Sequence, residues 1–233
     1  MTVHNYWAVI PAAGSGVRMA STLPKQYLPL SGRTVLEWAI EPFLQDAKCQ
    51  GVVVVIAPED DHWLKLSLVH SKLQMALGGS ERAHSVLAGL KSLSAASDHD
   101  WVMVHDAARP CLHAEDLDKL CAEINEDNVG AILATPLADT LKQADHEGCI
   151  EKTLPRERLW RALTPQLSKL GMLKAVLQSA LAKGSLVTDE SSALELMGYH
   201  PKLVEGRSDN IKITVPTDLQ IAANILSQRY SCS

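Results

Sequence analysis

Trp7-Ala8-Val9-Ile10-Pro11-Ala12-Ala13-Gly14-Ser15-Gly16-Val17-Arg18-Met19, with Pro24-Lys25-Gln26 just beyond, decides how this chain is read. An apolar run of strand length empties into a loop of small residues that carries cations. Residues with little or no side chain let backbone N–H groups approach phosphate oxygens closely, and Arg18 and Lys25 supply neutralising charge. The stretch therefore reads as a nucleoside triphosphate site at the end of a buried strand. Two other phosphate loops do not fit. A P-loop needs Gly-Lys-Ser/Thr after a four-residue gap from its first glycine, and a dinucleotide fingerprint needs a small residue where Met19 stands. The bare Gly14-x-Gly16 spacing would also suit an ordinary strand-to-helix turn.

Working outward, short β-branched or apolar runs recur at residues 52–56, 73–77, 101–105 and 131–135, separated by stretches of helical period. Val35, Leu36, Ala39, Ile40, Phe43 and Leu44 fall on one helix face, as do Ala83, Val86, Leu87, Leu90 and Leu93; both sets read as core packing. Pro216-Thr217-Asp218 suits the first turn of a closing helix. This alternation predicts an α/β fold, a doubly wound and mostly parallel Rossmann-like sheet, with ligands collecting outside the carboxyl ends of its strands. The loop after residue 10, the Gly78-Gly79 turn and Asp106 all fall at such ends. Residues 138–160 break the alternation, and Asp145-His146-Glu147-Gly148 reads as the turn of a protruding β-hairpin arm.

The 233 residues suffice for one large α/β domain or two small ones. No Ser/Gly/Pro-rich linker or run of like charge divides them, so a single domain spanning 1–233 is expected. Hydrophobic content of 46% with 21% charged residues is that of a soluble globular protein, and the longest apolar run, 52–57, is too short to span a bilayer. Met1 to Val17 contains no Lys or Arg, which points away from a leader sequence and toward the cytoplasm. The five cysteines are scattered without a C-x-x-C pair, so zinc and redox chemistry are not indicated. A net charge of −5 argues against a general nucleic-acid or anionic-membrane binder, although a local cluster of cations can hold an anionic substrate whatever the overall sign.

Pro-Ala-Ala-Gly-x-Gly-x-Arg-Met with Pro-Lys-Gln-Tyr resembles the signature of the 2-C-methyl-D-erythritol 4-phosphate cytidylyltransferases, which use CTP in non-mevalonate isoprenoid synthesis. Further matches follow in order: Gly78-Gly79-Ser80-Glu81-Arg82-Ala83-His84-Ser85-Val86, His105-Asp106-Ala107-Ala108-Arg109-Pro110, Asp139-Thr140, Leu163-Thr164-Pro165-Gln166, Thr188-Asp189-Glu190 and Asp209-Asn210-Ile211-Lys212. The match covers nearly the whole chain, and several motifs in one order are far more specific than any alone. The resemblance implies transfer of CMP from CTP to methylerythritol phosphate, with release of pyrophosphate.

Such a transfer needs no general base, because a phosphomonoester with a second pKa near ~6 is largely dianionic at neutral pH. It needs positive charge around the α-phosphate and orientation for in-line attack. By resemblance, Arg18, Lys25 and Lys212 are catalytic; Pro11, Ala12, Ala13, Gly14, Gly16, Gly79, Ser80, Ser85 and Ala107 line the CTP side. The acceptor side is assigned Asp106, Arg109, Thr140, Arg156 and Thr188, with Thr164 a weaker candidate. Arg109 and Arg156 are placed to grip phosphate, since a guanidinium can bind it bidentately. Asp106, directly after a buried strand, is the expected Mg²⁺ ligand, or else binds substrate hydroxyls. Asp209 is either a second metal ligand or an acid capping its own turn. His105 suits a core hydrogen bond better than catalysis. Ser80 stands where some family members carry an acid, so it offers the cytosine amino group or the ribose a weaker partner. The resemblance also implies a homodimer in which the 138–160 arm crosses to a second subunit; a hairpin packed within the monomer reads the same in sequence.

Two other functions remain open at this level. A ribitol 5-phosphate cytidylyltransferase would share the CTP half-site and be expected to differ at the alanines of His105-Asp106-Ala107-Ala108. A module that binds CTP without turnover would have no use for Arg18, Lys25, Asp106 and Lys212 together. A nicotinamide oxidoreductase is disfavoured by Met19.

Overall fold

In the computed structural model, residues 4–14, 23–66, 68–125 and 128–230 are described. The chain opens with β1 (Tyr6–Pro11), a small β2 (Pro29–Leu30) and β3 (Arg33–Thr34) hairpin, α1 (Val35–Gln45), β4 (Cys49–Ile56), β5 (Leu73–Leu77), α2 (Arg82–Ser92) and β6 (Trp101–Val104). It continues through α3 (Ala114–Cys121), β7 (Gly130–Pro136), β8 (Leu141–Ala144), β9 (Ile150–Leu154) and β10 (Trp160–Lys169). It closes with α4 (Leu170–Ala182), α5 (Glu190–Glu195), β11 (Lys202–Glu205) and α6 (Pro216–Tyr230).

A seven-stranded sheet in the order β11-β7-β10-β6-β1-β4-β5 carries the fold, and β10 is its antiparallel member. Val52–Ile56 of β4 is apolar at every position because both faces of a mostly parallel sheet are covered by helices. Leu36, Ile40 and Phe43 of α1 pack on one face, and Val86, Leu90, Leu173 and Leu177 of α2 and α4 pack on the other. Thr34 and Glu37 start α1 with a reciprocal capping box, the Glu37 N–H donating to Thr34 Oγ1 at 3.2 Å and the Thr34 N–H to Glu37 Oε2 at 2.7 Å. Helix α2 comes unusually close to the sheet at Gly89, where a Cβ would stand 2.7 Å from methyls of both Val9 and Val55. That approach sets the first turn of α2 beside the carboxyl end of β1.

The chain runs from β1 outward through β4 to β5, then crosses back to place β6 on the other side of β1. This reversal opens a crevice at the carboxyl ends of β1 and β6, the general ligand position in doubly wound sheets. The expected strands and the three expected helices are all present. Strand β10 was not anticipated. Its sequence contains Pro165, which lacks a ladder donor, and the β7 pairing is broken between Ala162 and Gln166 around it.

Residues 138–160 carry the expected hairpin. β8 and β9 form a two-stranded sheet that shares no ladder with the main one, and Asp145 Oδ1 accepts from the Glu147 and Cys149 amides at 3.0 and 2.9 Å to shape the turn. Its side chains are largely exposed, Ile150 to 67%.

Candidate active site

Asp106 stands at the foot of the crevice, immediately beyond β6, with its carboxylate nearly buried. Its Oδ2 lies 2.8 Å from Lys212 Nζ and 3.6 Å from Arg109 Nε, and its Oδ1 accepts from Arg82 Nε at 3.1 Å. Burial opposes the negative charge, but Arg82, Lys212 and Arg109 outweigh it and hold the carboxyl well below the ordinary carboxylate range. Three cations thus converge on one anion, an arrangement ready to exchange that anion's contacts for phosphate oxygens.

The walls come from the loops expected to form them. Pro11, Ala12, Ala13 and Gly14 line one side; Gly79, Ser80, Glu81 and Ser85 line another, with Asp106, Ala107 and Ala108 at the base and Lys25 and Lys212 at the edge. The cavity is about 180 Å³. Gly78 is required here by contact: a Cβ would meet Ser85 Oγ at 2.6 Å and Ala13 Cβ at 3.0 Å. The Ser85 hydroxyl accepts from the Gly79 amide at 3.2 Å and so braces the turn. Lys25 reaches the edge because Gln26 and Tyr27 anchor its short helical turn. Buried Gln26 Nε2 donates to the carbonyls of Ala12 (2.6 Å) and Gly14 (3.1 Å), and Tyr27 donates to Asp60 at 2.7 Å. Lys25 Nζ donates to the Ile213 carbonyl at 3.2 Å, joining the first loop to the Lys212 segment.

His105 is fully buried, and burial pushes it down to about 4. Its Nε2 faces the Arg109 carbonyl at 3.0 Å, which can only accept, so Nε2 carries the proton and Nδ1 accepts from Thr164 Oγ1 at 3.0 Å. Thr164 Oγ1 in turn accepts from the Asp106 amide at 3.1 Å. His105 is therefore a neutral strut under the Asp106 loop. Arg109 lies behind Asp106, donating to the Asn210 carbonyl at 2.8 Å, with burial lowering its pKa. The Asp209 carboxylate is forked by Arg207 at 3.0 and 2.7 Å, so it is engaged in an ion pair with its neighbour two residues back.

Arg18 and Gly16 lie outside the described residues. Thr140 and Arg156 sit at the root of the arm, exposed, with Arg156 Nη1 donating to the Ala138 carbonyl; neither is among the residues lining this chain's crevice, nor is Thr188. Thr188 leads into α5, its amide donating to Ser192 Oγ at 3.1 Å. Arg82 and Gln26 also line the crevice and Glu190 stands directly behind Arg82, roles that no local sequence motif signals.

Among the described residues no group of three or more His, Cys, Asp or Glu is placed to hold a metal by itself. The donor set fits a divalent ion only in the mode natural to Mg²⁺, one or two carboxylates with the remaining ligands from phosphate and water. Among the described residues no helix is long and apolar enough to cross a membrane.

A doubly wound sheet whose switch-point crevice gathers a small-residue loop, two lysines and a cation-bound carboxylate defines a nucleotidyltransferase. A family model for 2-C-methyl-D-erythritol 4-phosphate cytidylyltransferase matches residues 6–228, and the chain belongs to that family. The protein of that name from Pseudomonas entomophila is 52% identical over 229 residues, covering 97% of this chain and 96% of its own. The one from Aliivibrio fischeri is 51% identical over 216 residues, covering 92% and 91%. The crystal structure of the Francisella tularensis 2-C-methyl-D-erythritol 4-phosphate cytidylyltransferase aligns with a TM-score of 0.82 at 35% identity, covering 95% of this chain and 99% of that one.

Proposed function

We propose that this chain transfers CMP from CTP to 2-C-methyl-D-erythritol 4-phosphate. An oxygen of the acceptor's phosphate attacks the α-phosphorus of CTP, the bond from that phosphorus to the bridging oxygen breaks, and pyrophosphate leaves. The products are 4-diphosphocytidyl-2-C-methyl-D-erythritol and pyrophosphate. Family membership supports this reading, and the observation that carries it is the crevice around Asp106, where Lys212 already contacts the carboxylate at 2.8 Å and Lys25 stands at the edge.

The residues' work is binding, alignment and charge compensation. The Pro11–Gly14 loop and the Gly79 turn present little side-chain bulk, which suits a pyrimidine and a triphosphate. Ser85, tied to the Gly79 amide, holds that turn in shape. Lys212 is 37% exposed and can shift from Asp106 to phosphate as negative charge moves toward the leaving group. His105, neutral and fully hydrogen-bonded, takes no proton, and the dianionic acceptor asks for none. Asp106 is the residue suited to hold Mg²⁺, which when bound would neutralise phosphate charge and make the α-phosphorus more electrophilic.

The reading extends to a cytoplasmic homodimer. Thr140 and Arg156 are exposed at the root of the arm and are not among the residues lining their own crevice, as expected of residues that serve the site of a second copy.

Pyrophosphate release with CTP and a panel of polyol phosphates tests the acceptor. Turnover is expected with methylerythritol phosphate. Clear turnover with ribitol 5-phosphate and none with methylerythritol phosphate would overturn the assignment, and CTP binding without turnover on any acceptor would mark a non-catalytic module.

A further inference from the structure

We propose that Arg82 is a positioning residue for the transfer: clamped from behind by Glu190, it orients the Asp106 carboxylate and couples the segment entering α5 to the nucleotide side of the crevice. The proposal rests on the transferase reading above. Glu190 is the first residue of α5, and its carboxyl side chain is only 2% exposed. It faces Arg82 in a fork, Nη1 to Oε1 at 2.6 Å and Nη2 to Oε2 at 3.1 Å. A planar guanidinium gripped at two nitrogens is restricted in orientation, because the bidentate pair fixes geometry as well as distance. Its Nε–H donates to Asp106 Oδ1 at 3.1 Å, and Nη2 lies at the same 3.1 Å from that oxygen, so the guanidinium bridges the two carboxylates.

The two carboxylate oxygens of Asp106 consequently have different duties. Oδ1 is committed to Arg82, while Oδ2 faces Lys212. When Lys212 moves to phosphate, Arg82 still holds Oδ1 at hydrogen-bond distance, while Arg109 stays 3.6 Å from Oδ2. Glu190 is itself held in place. Asp189 caps α5 by accepting from the Ser192 amide at 2.9 Å, and Gln166 of β10 binds both Asp189 Oδ2 (2.8 Å) and the Ser191 amide (2.8 Å). Thr188, proposed above for the acceptor, lies two residues before Glu190. One rigid chain of contacts therefore runs from the acceptor-side segment through Glu190 and Arg82 to Asp106.

A lysine at 82 would keep the charge but reach only one carboxylate as a point contact, so charge and geometry separate in Arg82→Lys. The experiment compares wild type, Arg82→Lys, Glu190→Gln and the double variant by kcat, by KM for both substrates, by CTP affinity from calorimetry without acceptor, and by thermal melting. Each single variant is expected to lose roughly 10-fold or more in kcat, the scale of a small misalignment. CTP affinity should stay within about threefold, and the double variant should be no slower than the worse single one, because both act through one contact. Wild-type kcat in folded Arg82→Lys, or losses that multiply in the double variant, would overturn the proposal. A fall in CTP affinity equal to the loss in kcat/KM would overturn it too, by making Arg82 a phosphate ligand. Absence of turnover in the wild type would instead remove the transferase reading, and the positioning role with it.

Discussion

Lys25 and Lys212 approach the crevice from opposite ends of the sequence and meet through the Ile213 carbonyl, which accepts from Lys25 Nζ at 3.2 Å. If both stabilise charge that develops during transfer, truncating either should depress kcat rather than merely weaken CTP binding. Lys25→Ala and Lys212→Ala are each expected to lower kcat by at least ~100-fold, the scale of one preorganised electrostatic contact, with melting temperatures near wild type. Near-normal kcat with a raised KM for CTP would assign them to uniform binding instead. These lysines were legible in sequence because each sits in a short local motif. Arg82 and Glu190 were not: they are 108 residues apart, and a basic residue in the first turn of a helix reads as a solvated face until its partner is placed beside it. For His105 sequence and structure agree: its position beside Asp106 invites a catalytic role, the chemistry asks for no base, and burial with two hydrogen bonds makes it a core strut.

At the scale of elements, the Lys212 segment packs on α6 through Ile213 and is tied to the first turn of that helix by the Asp218 carboxylate. Asp218 Oδ2 accepts from the Thr214 amide (2.7 Å), the Thr214 hydroxyl (2.8 Å) and the Val215 amide (2.9 Å). Burial works against this carboxylate, but its bonds to Val215 and Thr214, helped by the charge of Lys25, hold its pKa below the ordinary value. A carboxyl whose pKa is lowered on folding contributes stability above its unfolded pKa, near ~3.9, and loses it as pH falls through the folded value. Asp218→Asn should therefore cost about 1 kcal/mol at pH 7, with the gap from wild type closing below about pH 4. Urea unfolding at both pH values checks this, and an unchanged gap in acid would show that the ionised form is not what holds the turn. Elements whose reason is local, such as β4 with its run of valines or α1 with its apolar face at residues 35, 36, 39, 40, 43 and 44, could be read from the chain. Strand β10 could not, because Pro165 and the broken register at residues 163–165 make sense only once β6 and β7 flank it.

For the whole molecule, the arm poses a geometric problem. β8 and β9 extend from a base closed by the Leu137 amide on the Leu159 carbonyl at 3.0 Å, yet they pair only with each other. An isolated two-stranded hairpin is marginal in water, and Ile150 on this one is 67% exposed, so the arm gains from a partner surface. If that surface belongs to a second copy, Thr140 and Arg156 complete the neighbour's crevice while Lys25 serves its own. Two defects can then be sorted by subunit. Lys25→Ala damages the site in its own subunit, whereas Arg156→Ala damages the site across the interface. In a mixed dimer carrying one of each change, both defects fall in the same site and the other remains intact. Coexpression of the two inactive variants should therefore restore about half of wild-type activity per verified mixed dimer, because one of its two sites is whole. Mixed dimers that stay inactive, while each parent folds and dimerises, would show that the sites are not shared. An active monomer at working concentration would show that the arm serves the chain that carries it.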